Sequence, residues 1–461
     1  MTGALRARLV LRVQEALLGR PTFRCLQQLE DSQWLPRAGV MELQRQALNR
    51  LLASALAHSP WHGARLRAAG LASAIVAGRV TREALRALPT MSRHDARHHG
   101  DLMCWPAVPG GAQRYSTGGS SGEPLIFHFG RARQAADAAC RLRARRWWGV
   151  PPGAREAYLW GAPRELSASD RVKRLRDRLV NHRLLNAFEL TPARMDDYLR
   201  ELQHWRPASL YGYASTLTLF AEHLLSYAGQ RPLPGLKLVC TTGEPLASAQ
   251  RATIHAAFGV PVANEYGCRD GGLVAHEAPG GSLLVMSEQV LVELLDGDGD
   301  PVPPGEIGEV VITNLASHAQ PFIRYRTGDY ARAGKARDAA GRGLEVLAEI
   351  IGRTTDFVHT PDGRILHALA IIYELRAVPG VAKFRCEQFS LTRFRVQLVT
   401  GAGWRPGALP EIRRALTARL GATVAIDIEQ VPALPPLPSG KERQVISHLA
   451  ATPRGRLSLT A

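Results

Sequence analysis

Between residues 191 and 268 the apolar positions switch repeatedly between helical spacing, three to four residues apart, and short continuous runs. Thr191 followed by Pro192 marks a helix start: a threonine hydroxyl accepts from a free amide of the first turn, and proline has no amide to leave unpaired there. The helix runs through MDDYLRELQHW. A strand in ASLYG follows, then a helix over 215–228, a strand in LKLVCT (236–241), a helix over 247–258 closed by Gly259, and a strand in VPVANEYG. Such alternation predicts right-handed crossovers on a parallel sheet. Ligands of these sheets gather beyond the carboxyl ends of the strands. The TTGE turn (241–244) and the EYGCRD loop (265–270) therefore share one rim.

Past residue 283 two alternating apolar runs, LLVMSEQVLVELLD and IGEVVITNL, flank the turn cluster GDGDPVPPGE and predict a hairpin-rich segment. After Gly352, strands are expected near 382–389, 394–399 and 423–430 with a helix at 409–420, a compact α+β module. The predicted fold class is α/β. A large domain over 1–351 joins parallel α/β sheets to a β-rich subdomain, and a small domain covers 352–461. Upstream, 42–57 reads as an amphipathic helix ending before Pro60. Leu5, Leu9, Val13 and Leu17 fall on one face of an N-terminal helix that also carries Arg6, Arg8 and Arg12. Such a helix can lie on an anionic membrane surface. Packing of that face on the body of the protein is the commoner fate and is the expectation here.

The net charge of +17 over 461 residues looks at first like a nucleic-acid signal. Only five of the 58 basic residues are lysines. The excess is of arginine, spread along the chain rather than gathered on one face, and no nucleic-acid partner is expected. The six cysteines are far apart with no C-x-x-C pair, which argues against a zinc ribbon or a redox dithiol. No apolar run reaches the ~20 residues needed to span a bilayer. Arginines interrupt the apolar residues of the N-terminus, so a signal-peptide core is lacking and a cytoplasmic protein is expected.

Six segments carry candidate chemistry. YSTGGSSGEP (115–124) is a loop rich in glycine and hydroxyls, of the kind whose amides wrap polyphosphate oxygens, although a plain surface turn has the same composition. In TTGEPL and EYGCRDGG, Tyr266 can cover a purine face and Asp270 can hold a magnesium ion, the bland alternative being two acidic turns. Asp329, in FIRYRTGDY, offers two carboxylate oxygens to the vicinal hydroxyls of a ribose. Arg353, in IIGRTTDF, is a cation at the domain boundary. Lys441, on the Ser439–Gly440 turn of LPPLPSGKERQV, can swing as a point charge.

Taken in order, STGGSSGEP, TTGEP, EYGCRD, YRTGD, GRTTD and SGK resemble the motifs of the adenylate-forming superfamily of acyl-CoA synthetases, peptide-synthetase adenylation domains and luciferases. Over residues 40–450 the chain looks most like the phenylacetate-CoA ligase family, in particular its branch from bacterial polysaccharide gene clusters. The resemblance implies an AMP-forming ligase. A carboxylate attacks the α-phosphate of ATP to give an acyl-adenylate and pyrophosphate, and the thiol of coenzyme A then takes the acyl group. An adenylating enzyme that discharges to an amine or a carrier-protein thiol, in polysaccharide or secondary metabolism, is the alternative. Thr117, Gly119, Ser120, Ser121 and Gly122 would hold the β- and γ-phosphates. Gly243, Glu244 and Tyr266 would frame the adenine, Asp270 would bind Mg2+, Asp329 would take the ribose hydroxyls, and Arg353 would reach ribose or phosphate. Lys441 would bridge the two reacting anions, and Thr355 would be the hinge of a mobile small domain.

Three features depart from the family pattern. Glu123 stands where many relatives carry lysine, and Asp270 replaces the usual glutamate. Of the cysteines that hold a structural zinc in this branch only Cys268 remains, the other positions reading Asp338, Ala340 and Ala278. One thiolate cannot build a tetrahedral site, so no zinc is expected. The acyl pocket is expected around Tyr211, Gly212 and Tyr213, either as an aromatic clamp or as core. The arginines between Arg131 and Arg183 are expected on a solvated helix face, the alternative being contact with the phosphates of coenzyme A. Homodimers are common among relatives.

Overall fold

The computed structural model describes residues 3–116, 125–160, 176–187, 190–226, 233–334, 337–353, 357–362, 365–367, 371–372, 374–375, 377–401, 403–405, 407–434 and 444–449. The chain divides into two compact units. One comprises Met1–Leu294, Pro303–Thr327 and Ala331–Ile350; the other comprises Leu295–Val302, Gly328–Tyr330 and Ile351–Ala461.

An eleven-stranded sheet runs in the order Val290–Leu295, Ile307–Asn314, Tyr325–Ala333, Val346–Arg353, Leu283–Val285, Gly272–Glu277, Val262–Cys268, Leu238–Thr242, Ser209–Tyr213, Glu156–Trp160, His182–Asn186. The last five strands are mutually parallel. Every residue of Ser209–Tyr213 and of Leu238–Thr242 is buried, as expected of central parallel strands covered on both faces. Between them the crossovers are the helices Pro192–Trp205, Ala214–Leu225 and Ser248–Phe258. The first starts as its sequence predicts, with Thr191 Oγ1 accepting from Arg194 N at 3.3 Å. The third is closed by Gly259 at φ +67°, a conformation that a Cβ would disfavour. The strands Glu156–Trp160 and His182–Asn186 extend this parallel set beyond what the hydrophobic pattern revealed.

The run LLVMSEQVLVELLD is not one strand. It breaks into Leu283–Val285 and Val290–Leu295 around a turn in which Gln289 N and Val290 N both donate to Met286 O. The reason lies inside the protein: Glu288 in that turn is drawn onto Arg143, with Nη1–Oε1 at 2.6 Å and Nη2–Oε2 at 3.1 Å. Ser32 Oγ adds a third bond to Glu288 at 2.8 Å, and Arg143 Nη1 donates to Leu29 O at 3.0 Å. Arg324, at φ +52°, makes a similar buried fork with Glu293, both contacts at 3.0 Å, and closes on the Arg86 and Leu88 carbonyls.

These contacts correct in part the expected solvated face for the arginines between Arg131 and Arg183: Arg141, Arg146, Arg155, Arg176 and Arg178 are exposed, but three others are buried. On the helix Arg131–Trp147, Arg133, Arg143 and Arg145 are 0%, 0% and 1% exposed. They meet internal carboxylates, carbonyls, hydroxyls and an imidazole, which leaves them neither to solvent nor to a coenzyme phosphate. The expectation for the N-terminal helix is also corrected. Gly3–Leu17 packs inward through Ala7 and Glu15, while Leu5, Leu9, Val13 and Leu17 face outward.

The second unit holds a four-stranded sheet in the order Ala425–Gln430, Arg393–Thr400, Val381–Ser390, Val445–Ser447. The helix Ala408–Leu420 buries Ala408, Ile412, Leu416 and Leu420, one stripe at four-residue steps. A hairpin of Phe357–His359 and Ile365–His367, not foreseen from the sequence, is tied to this sheet by the buried Gln388. Its side-chain amide accepts from His359 N at 3.0 Å and donates to His359 O at 2.6 Å.

The Arg143–Glu288 pair yields a stability prediction. Arg143→Met strands a carboxylate in the core and is expected to cost about 3–5 kcal/mol, whereas Arg143→Met with Glu288→Met regains most of that loss. Urea denaturation of the two variants checks it; equal destabilisation by both would contradict the assignment.

Candidate active site

The rim is built by four neighbouring parallel strands whose register aligns their carboxyl ends. Leu159 pairs with Gly212, Tyr213 with Thr242, and Thr242 with Glu265. Beyond these ends lie Trp160, the start of the helix Ala214–Leu225, the Gly243–Glu244 turn and the Cys268–Asp270 loop. Gly243 adopts φ +73°, which its lack of a Cβ permits. Glu244 Oε2 accepts from Ser215 N at 2.8 Å, so the carboxylate that follows one strand caps the helix that follows the next. Tyr266, 9% exposed, sits on the adjoining strand.

The Cys268–Asp270 loop is fastened from several directions. Arg133 Nη2 donates to Arg269 O at 3.1 Å, Asn314 Nδ2 donates to Gly271 O at 2.8 Å, and Gly271 N donates to Cys268 Sγ at 3.2 Å. Tyr325 OH donates to Asp270 Oδ2 at 2.6 Å. Burial, reinforced by Asp270, lifts the Tyr325 phenol well above its ordinary pKa, so it remains a donor. Arg269 Nη1 reaches Ser116 O at 3.1 Å. Ser116 pairs with Ile126, so the paired strands that bracket the STGGSSGEP segment are tied to this loop. The rim thus brings Gly243, Glu244, Tyr266 and Asp270 together. Asp329 lies in the strand Tyr325–Ala333 and is 5% exposed. The backbone of Arg353 ends the strand Val346–Arg353. The Arg353 side chain, and Thr117, Gly119, Ser120, Ser121, Gly122, Thr355 and Lys441, lie outside the described residues.

Tyr211 and Tyr213 are 9% and 5% exposed. Both stack on Trp160, at 5.7 Å and 4.1 Å with interplanar angles of 28° and 25°, and Tyr211 also meets the edge of Tyr158 at 5.6 Å. The protein's own indole therefore stacks on the expected clamp, and the three rings form a wall. Gly212 between the tyrosines is required by packing, since a Cβ there would lie 2.7 Å from Leu159 O. The sequence reading missed Trp160 and Tyr325, although Tyr325 opens the YRTGD motif.

Beneath the rim Cys240, Glu265 and His276 bring a thiol, a carboxylate and an imidazole within 4.8 Å of one another. Arg145 holds the centre of this group, with Nη1 2.9 Å from His276 Nε2, 3.2 Å from Cys240 Sγ and 3.7 Å from Glu265 Oε2. A fixed guanidinium among the donors repels a metal ion, so the set does not fit one. Burial pushes the Cys240 thiol up to about 12, and burial followed by Arg145 pushes His276 down to about 4, so both stay neutral. Burial alone would raise the Glu265 carboxyl; Arg141 and Arg145 outweigh it and hold its pKa below the usual range. Tyr211 OH donates to Glu265 Oε1 at 2.7 Å, which links this ionic core to the aromatic wall. At the expected zinc positions, Cys268 accepts an amide proton and Asp338 Oδ2 is bound by Arg342 Nη1 at 2.8 Å.

No family model matches the chain. Among curated proteins, Protein CapK of Staphylococcus aureus is 21% identical over 377 residues, 80% of this chain and 82% of that protein. The phenylacetate-coenzyme A ligase of Thermus thermophilus is 26% identical over 339 residues, 70% of this chain and 72% of that one. Over most of its length the chain is thus similar in sequence to CapK and to a phenylacetate-coenzyme A ligase. Its fold is that of 2-hydroxyisobutyryl-CoA ligase, solved in the postadenylation state with R3-HIB-AMP: TM-score 0.69, 20% identity, covering 90% of this chain and 91% of that one. Amide bond synthetase McbA from Marinactinospora thermotolerans is more distant, with TM-score 0.51 and 19% identity, covering 71% of this chain and 66% of that one. In this chain the strand ends described above form the carboxyl rim of the larger unit.

The depressed His276 pKa sets a sign for acid sensitivity. Its neutral form is favoured in the folded protein, so the stabilisation is complete above about 6.5, the ordinary imidazole value, and is lost as pH falls from there toward about 4. His276→Gln is expected to flatten the decline in unfolding free energy over that interval. Urea melts at a series of pH values measure it, and parallel declines for both proteins would refute it.

Proposed function

We propose that this chain is an AMP-forming acid–thiol ligase that converts a carboxylic acid to its coenzyme A thioester through an acyl-adenylate. The observation that carries the reading is the rim. Gly243–Glu244 and Tyr266 stand on adjacent strand ends, and the Asp270 loop is fastened before any substrate arrives. Relatives aligned over most of the chain include a phenylacetate-coenzyme A ligase, and the neighbouring fold was solved holding an acyl-adenylate.

In the first step a carboxylate oxygen forms a bond to the α-phosphorus of ATP, and the bond to the β-phosphate oxygen breaks to release pyrophosphate. The Gly243 turn and the buried Tyr266 would receive the adenine, with Glu244 stiffening that wall through Ser215. Asp329 would accept from both ribose hydroxyls. Thr117, Gly119, Ser120, Ser121 and Gly122 would donate to the β- and γ-phosphates, and Arg353 would add charge at the ribose or phosphate. Asp270 fits as a single carboxylate ligand to Mg2+, an ion that is commonly held by one or two carboxylates plus substrate phosphates and would neutralise phosphate charge when bound. Lys441 would place its ammonium between the two anions. Preorganised cations lower the cost of bringing like charges together. In the second step the thiol sulfur attacks the acyl carbonyl and AMP leaves. The segment after Gly352 would move between steps about Thr355, as the small mobile domain that carries the lysine. The cytoplasm, where ATP and coenzyme A are abundant, is the proposed compartment; among the described residues no helix is long and apolar enough to cross a membrane.

The test is carboxylate-dependent exchange of pyrophosphate into ATP across aryl, fatty and hydroxy acids, followed by discharge with coenzyme A or with amines. Exchange with at least one acid class and faster discharge to coenzyme A are expected. Lys441→Ala should lower exchange roughly 10²–10³-fold while nucleotide binding persists. Undiminished exchange in that variant would remove the lysine from its role. Absence of exchange with every acid would remove the activity.

A further inference from the structure

The helix Gly3–Leu17 is docked with its most continuous apolar stripe facing away from the protein. Leu5, Leu9, Val13 and Leu17 recur at four-residue steps and are 49%, 54%, 51% and 83% exposed; Leu18, just beyond, is 39% exposed. The orientation is fixed from the other side. Ala7 is 1% exposed and Glu15 is 6% exposed. Gly153, at φ +85°, lies directly against the helix backbone, where a Cβ would come within 2.4 Å of Ala4 O and 2.6 Å of Arg8 N. Asn181 Nδ2 donates to Gly3 O at 3.4 Å, which holds the first turn. The helix therefore cannot roll its leucines inward without losing this close approach.

Charge on the outward half has one sign. Arg6 and Arg12 are exposed there, and Arg8, whose backbone abuts Gly153, is exposed at the edge of the docked side. The one carboxylate of the helix, Glu15, is turned inward, where it accepts from Thr22 Oγ1 and lies 3.5 Å from Arg20 Nη1. A stripe of leucine and valine edged by arginines with no acidic neighbour on the helix has the chemistry of a segment that lies in a bilayer interface. The apolar side chains enter the acyl boundary while the guanidiniums stay at the level of the lipid phosphates. The charge pattern also argues against a second copy of the same face. A two-fold contact would bring the arginines of both helices together with no carboxylate to pair them.

We propose that this face of the N-terminal helix is a peripheral binding surface for anionic phospholipid bilayers, and that it sets the larger unit reversibly on such a membrane. Four apolar side chains and three arginines make a weak anchor, governed by salt and by lipid charge.

The experiment is co-sedimentation of the full chain with vesicles of phosphatidylcholine containing roughly one-third phosphatidylglycerol, against vesicles of phosphatidylcholine alone. Binding to the anionic vesicles is expected to be at least ~10-fold stronger and to fall as salt rises. Leu9→Glu with Val13→Glu should weaken it by ~10-fold or more. Arg6→Gln with Arg8→Gln should weaken it roughly 30-fold, at about 1 kcal/mol for each charge. Both double variants should keep the wild-type thermal unfolding and the wild-type pyrophosphate exchange, because neither pair lines the rim. Equal binding to both vesicle types, no binding to either, or undiminished binding by the glutamate variant overturns the proposal. So does a loss of thermal stability in that variant, which would mean the stripe is covered in the folded protein. A dimer in sedimentation velocity that the glutamate variant dissociates would assign the face to a second copy instead.

Discussion

Burying a guanidinium is costly unless its charge meets carboxylates or other acceptors, and the helix Arg131–Trp147 buries three. That constraint organises the larger unit. Arg133 is held to the Arg269 carbonyl and Ser317, Arg143 to Glu288 and the Leu29 carbonyl, and Arg145 to His276, Cys240 and the Glu156 and Glu265 carboxylates. These partners come from distant stretches of sequence. One helix thereby fixes the turn after Leu283–Val285, the Cys268–Asp270 loop and the strands beneath the rim in a single arrangement. Displacing any of them leaves a charge unpaired in the interior.

The consequence for the candidate site is rigidity where chemistry needs it. The Asp270 loop is bonded at Arg269 O, Gly271 O, Gly271 N and Asp270 Oδ2, and none of these bonds uses a ligand. The Glu265 carboxylate, kept ionised by two arginines, receives the Tyr211 hydroxyl and so orients the aromatic wall that Trp160 completes. Electrostatic preorganisation of this kind is spent during folding, so a reacting substrate does not have to reorganise the site.

The parallel strands were legible because their signals are local: a Thr-Pro helix start, a glycine closing a helix, and apolar runs too short to be helices. The rim was legible for the same reason, since strand ends and glycine turns fall together once the sheet is parallel. The break in LLVMSEQVLVELLD was hidden because it depends on Arg143, more than a hundred residues away. The strands Glu156–Trp160 and His182–Asn186 gave a weak pattern because polar residues, including Glu156 and His182, sit within them and are satisfied by tertiary contacts. The outward face of Gly3–Leu17 defied its periodicity for a related reason. Amphipathic spacing says which residues share a side of a helix, not which side meets the protein, and a glycine at 153 chose the opposite one.

Arginine content illustrates how composition and site interact. A net charge of +17 suggests a cationic surface, yet four guanidiniums at 4% exposure or less (Arg133, Arg143, Arg145 and Arg324) are interior struts. Lysine could not replace them. An ammonium has three donors around a point, whereas the forks at Glu288 and Glu293 need planar pairs of N–H groups at fixed spacing, with further donors left for backbone carbonyls. The converse holds for the few lysines. A compact ammonium on a flexible stem suits a position that must approach two anions and then withdraw, and a planar fork with strong bidentate preferences does not. The chain's heavy use of arginine therefore sharpens the proposal for Lys441: in a background where arginine fills nearly every cationic position, a lysine directly after Ser439 and Gly440 in the sequence is where replacement by arginine is most informative.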